Sequence, residues 1–235
     1  MSKPTDTVLN TVAGMSDAES RSELEQRLYE HLQHLAALPA DAKATDRARV
    51  ELDVADTLEA LDRKQEAWDI ARGCFDTFLQ HAAWQDTVEA CDVLYRTQLP
   101  DAIVALGNGV WLAVTYPILP PTTIKMLHYI VDETPDKSDG GAVAAAVAHY
   151  IADIRSADNE HEHDSLTFMT AQVLAQVAKR HRNIEGNDML NLWMETLELN
   201  DPAVILERLA LILDTIVADN WWYDRDALRA RLPVN

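Results

Sequence analysis

Apolar residues recur along most of the chain at intervals of three and four, the spacing that gathers them on one face of an α-helix. Leu24, Leu28, Leu32 and Leu35 form one such stripe, with Glu23, Glu25, Arg27 and Gln33 away from it. They predict a helix from about Ser16 to Leu38, closed by Pro39-Ala40-Asp41. Val50, Leu52, Val54, Leu58 and Leu61 predict a second over 45–62, and Ala67, Ile70, Ala71, Cys74, Phe75 and Phe78 a third over 65–82. Val88, Ala90, Cys91, Val93 and Leu94 predict a fourth over 84–97. Pro100 starts a fifth element that Gly107-Asn108-Gly109 is expected to break, and a sixth runs from Val110 to Tyr116. Pro121-Thr122-Thr123 opens the next, which ends at Thr134-Pro135. Further helices are predicted over 165–181, 187–198 and 202–218, the last opened by the cap-and-proline pair Asp201-Pro202. A final helix is expected to begin at Trp221-Trp222-Tyr223. Residues 1–15 are polar and aperiodic, and read as a flexible tail.

One stretch breaks the amphipathic rule. From Ala142 to Ile151 every residue except His149 is small, aliphatic or Tyr. A helix apolar around its circumference is a buried helix, and its alanines let neighbours approach closely. The expected fold is therefore all-α: an irregular helical-repeat or solenoid-like array of about ten helices around this Ala-rich rod. Residues 16–235 form one domain, with a repeat-like half (16–116) and a more globular half (121–232).

The run Ala55…Leu58…Leu61-Asp62-Arg63-Lys64-Gln65-Glu66-Ala67-Trp68…Ala71, echoed by Glu89-Ala90, resembles tetratricopeptide-type helical hairpins over about residues 48–97. The shared features are small packing residues, a tight turn and the Glu-Ala that begins the second helix. No glycine stands at the turn. The resemblance implies a helical-hairpin array and a surface that holds another protein.

Composition sharpens the picture. Thirty-nine Asp and Glu against twenty Lys and Arg give a formal net charge of −19. That opposes binding to nucleic-acid phosphates and to anionic membranes, and favours a basic partner. No apolar targeting segment opens the sequence, and the uncharged stretch 102–124 is divided by Gly107-Asn108-Gly109 and its prolines into pieces too short to span a bilayer. Two cysteines, Cys74 and Cys91, make no disulfide framework and read as reduced core thiols of a cytoplasmic protein.

Signatures of phosphate cradles, dinucleotide sites, serine hydrolases and zinc proteases are absent from the sequence. The sharpest chemical signal is a repeated word: His128-Tyr129-Ile130-Val131-Asp132 and His149-Tyr150-Ile151-Ala152-Asp153. His and Asp four apart share a helix face. If two such faces converge, His128, Asp132, His149 and Asp153 would suit zinc, iron or manganese, with His161 or His163 from the charged connector 158–164 as further ligands. Separately, each Asp could orient its His for acid–base work; packing histidines are the plainer account. Lys179-Arg180-His181-Arg182 reads as complementing a helix end.

Three functions follow as expectations. The first is a non-enzymatic adaptor, assembly factor or chaperone that holds a basic protein partner in a helical groove, as monomer or homodimer. The second is a metal-binding protein or small metalloenzyme built on the paired His and Asp. The third is an acidic mimic of nucleic acid.

Overall fold

The computed structural model describes residues 4–232, and their side chains from residue 21 onward. Among the described residues there are eleven helices and no strand. The expected tail falls partly on residues 1–3, outside the described residues, and partly on the first turns of the first helix, whose side chains also lie outside them. The chain divides into two compact units, Met1–Leu99 and Pro100–Asn235.

The first unit holds α1 (Pro4–Ala37), α2 (Ala44–Ala60), α3 (Lys64–Gln80) and α4 (Trp84–Arg96). Each packs on the next, and α2 also packs on α4. Leu28 from α1 closes on Val54, Leu58, Leu61 and Ala67, the residues the periodicity selected. The turns after α2 and α3 are the same structure. Asp62 and Ala82 are left-handed, with φ of 62° and 54°. In each, the next residue donates its N–H back across the turn, Arg63 to Leu58 O at 2.9 Å and Ala83 to Phe78 O at 3.0 Å. This is the Schellman closure, which pairs carbonyls that the helix end would orphan. Two arginines tie α2 to α4 at opposite ends. Arg49 bonds Asp53, Asp86 and Glu89, and Arg96 bonds Asp56, Glu59 and Asp92.

The second unit holds α5 (Ala102–Thr115), α6 (Pro120–Glu133), α7 (Asp139–Arg155), α8 (Glu160–Arg182), α9 (Asn187–Thr196), α10 (Pro202–Val217) and α11 (Arg225–Arg229). The Ala-rich rod is α7. Gly141 through Ala148 are all buried, and α6, α8 and α10 pack around it. Ser138 stands at its N-cap, but its hydroxyl donates to Pro135 O at 2.9 Å instead of capping the helix.

Three sequence expectations are corrected. Gly107-Asn108-Gly109 does not break the chain: α5 runs through it. A Cβ at Gly107 would lie 2.3 Å from Val217 Cγ2, so the missing side chain serves close packing with α10. Asn108 is buried and fully used. Its Nδ2 donates to Val104 O at 2.9 Å, its Oδ1 accepts from Trp222 N at 3.1 Å, and its carbonyl accepts from Tyr223 Oη at 2.6 Å. The connector 158–164 is mostly helix, because Asn159 accepts from Glu162 N at 3.3 Å and starts α8 at Glu160. Trp221-Trp222-Tyr223 is loop, held by Tyr223 against Trp111 at 5.4 Å between ring centroids; the final helix waits for the Asp224 cap. The same contacts hold α5 in the second unit.

Among the described residues no helix is long and apolar enough to cross a membrane. Cys74 and Cys91 are free and buried. Burial, then the nearby Glu51 charge, pushes the Cys74 thiol up to about 12, and burial raises Cys91 also.

Candidate functional site

The two copies of the repeated word lie on neighbouring helices, α6 and α7, but line separate recesses. His128 is exposed on α6. Its Nε2 is 3.8 Å from Asp132 Oδ2, with both side chains about half open to solvent, a surface pair within one helix. His128 lines a recess of about 330 Å³ between α6 and α8, with Ile124, Tyr129, Met169 and Val173 among its walls. The exposed Phe168 (67% accessible) adjoins Met169 in sequence on α8.

His149 and Asp153, four residues apart on α7, line a different cavity, of about 280 Å³, with Tyr150, Met194 and Asn200 among their neighbours. The Thr170 hydroxyl sits 2.9 Å from His149 Nδ1. Thr170 is buried and donates its own O–H to Leu166 O at 2.8 Å, so it accepts from His149, which fixes the Nδ1–H tautomer. Burial holds the His149 imidazole below its ordinary value; Asp153 opposes that shift and His163 adds to it. Burial thus disfavours the charged ring, and with Nδ1 bonded to Thr170 it is Nε2 of the neutral imidazole that is left to accept. His163 Nε2 lies 3.7 Å from Asp153 Oδ1, and its Nδ1 is 3.3 Å from Ser156 Oγ. His161 is exposed on the first turn of α8.

The structure thus brings together His149, Asp153 and His163, and leaves His128 and Asp132 as a pair of their own. Among the described residues, no three His, Cys, Asp or Glu side chains converge as a group that could hold a metal ion. The expected set for zinc, iron or manganese is not assembled in this arrangement. The cause is placement: His128 lines the recess between α6 and α8, whereas His149 and Asp153 line the separate cavity on α7.

Sequence reasoning missed Thr170, whose only signal is its place in a helix facing α7. The basic run stands in the last turn of α8, as expected, and two of its members also tie α8 to other helices. Arg180 Nη2 donates to Val131 O at 2.5 Å, near the end of α6. His181 Nδ1 accepts from Trp193 Nε1 at 3.0 Å, and its Nε2 faces Asp139 Oδ1 at 3.2 Å; Asp139 Oδ2 meets Arg208 Nη2 at 3.2 Å. The Arg155 guanidinium donates to the carbonyls of Ala113 and Val114 at 2.8 and 2.7 Å, capping α5. These are ties between helices. Comparison with protein-family models, curated proteins and solved structures found no match.

Proposed function

We propose that this chain is a non-enzymatic binding protein that seats an amphipathic helix of a partner protein, basic on its polar side, in the recess between α6 and α8. The observation that carries the reading is the recess itself, apolar over most of its wall and continued by the exposed side chain of Met169. Amphipathic helices dock by laying an apolar stripe into such grooves, and a methionine in the wall adapts to varied side chains. The preference for a basic face comes from the chain as a whole, which carries −19; at the recess Lys125 stands in the wall, and Asp132 lies 3.8 Å from His128. The first unit supports the same reading. The packing of α2 on both α3 and α4, with two like turns, favours a tetratricopeptide-like hairpin array there.

The test uses a synthetic Leu/Lys amphipathic helix and its Leu/Glu counterpart, each fluorescently labelled. The Leu/Lys peptide is expected to bind, to weaken as salt rises, and to lose about tenfold or more when Met169→Asp places a charge in the groove. Equal binding of both peptides, or indifference to Met169→Asp in a folded variant, overturns the reading.

A further inference from the structure

We propose that the cavity beside His149 is a binding site for an alkylammonium group, either a free small amine or a lysine side chain presented by another protein. Two acceptors line this cavity, the His149 imidazole and the Asp153 carboxylate. Thr170 occupies His149 Nδ1, so the ring presents Nε2 as a lone pair. Asp153 lies one helical turn on, on the same face of α7, and lines the same cavity. Asn200 also lines the cavity, and its amide carries an acceptor oxygen. An ammonium has three donors and no acceptor, which matches this set; a phosphate or carboxylate would meet Asp153 with like charge.

The rest of the wall is apolar: Ala146, Leu174, Met194, Leu199 and Ile205. It would cover a short alkyl stem while the charged head stays with the acceptors, the division that Lys side chains themselves adopt. At about 280 Å³ the cavity lies near the lower end of ligand sites and suits a stem of a few carbons. The titratable groups facing it are few. On α7 they are His149, Tyr150 and Asp153. From α8, His163 stands 3.7 Å from Asp153. The residues contributed by α9, the turn after it and α10 are uncharged. The inference is independent of the α6–α8 groove, since substitution of Met169 leaves every group named here in place.

The test titrates the full chain at pH 7 with n-butylammonium, with Nα-acetyl-lysine methylamide, and with neutral N-butylacetamide, following the histidine ring resonances by NMR. Saturable shifts of His149 with either cationic probe, and about tenfold weaker binding of the neutral one, are expected. The tighter of the two cations identifies the source, a free amine or a lysine. Asp153→Asn, at an exposed position that leaves the core untouched, is expected to weaken the cation by about tenfold. Thr170→Val tests positioning: it frees the tautomer, and should weaken the cation while sparing the neutral probe. Neutral and cationic probes binding alike, absence of saturable shifts, or no loss in folded Asp153→Asn would each overturn the proposal.

Discussion

A methyl group at position 107 would have to displace Val217, whose β-branched side chain is stiff in a helix. Gly107→Ala is therefore expected to destabilise: overpacking costs roughly 1–3 kcal/mol, against about 1 kcal/mol gained from replacing a helical glycine. Gly73 is the control. It is also helical, but nothing lies within 4 Å of its Cβ position, so Gly73→Ala should stabilise by up to about 1 kcal/mol. Urea midpoints of the two variants should move in opposite directions. His149 gives the pH counterpart. Its folded value lies below the unfolded one of about 6.5, so the unfolded chain binds the extra proton as pH falls. Its contribution is complete above about 6.5 and is lost as pH drops through the window down to the folded value. His149→Gln should flatten that part of the stability–pH curve; an unchanged curve would remove His149 as its cause. Single residues were the least legible scale. The repeated His-Tyr-Ile-x-Asp word was visible, but the hydroxyl that captures one copy and the solvent that takes the other depend on which helix comes opposite, information that no spacing along one segment holds.

Helices were far more legible, because burying a face imposes a period that survives in the sequence. The stripes of α2, α3 and α4 were located to within two residues at each end. Ends and interruptions read less well where a side chain overrode local propensity. Asn159 began α8 five residues before the expected start at Ser165, and Gly107-Asn108-Gly109 stayed helical because Asn108 found partners outside its own helix. The turn closures hold a further lesson. Asp62, Ala82 and Gln98 sit at positive φ, where glycine is ordinarily preferred. A Cβ there costs roughly 1–2 kcal/mol, partly balanced by the greater freedom glycine gives the unfolded chain. Ala82→Gly should accordingly raise the thermal midpoint, by the equivalent of about 0.5–1 kcal/mol, without altering the helical signal. A lower midpoint would mean that the alanine methyl makes a contact worth more than the backbone strain.

For the whole molecule, composition delivered the fold class and the acidity but not the division of the chain. One domain was expected, with a repeat-like half ending at residue 116; the two compact units part at Leu99 and Pro100, the chain from α5 onward returning to itself through Asn108, Trp111 and Tyr223. Within the second unit, one residue belongs to both candidate recesses. Thr170 lines the groove between α6 and α8 and accepts the proton that orients His149 in the cavity on the other side. The two chambers thus share a party wall one hydrogen bond thick. Whatever an occupant of one does to the affinity of the other must be returned in equal measure, so a client in the groove and an ammonium in the cavity would report on each other through the tilt of a single imidazole.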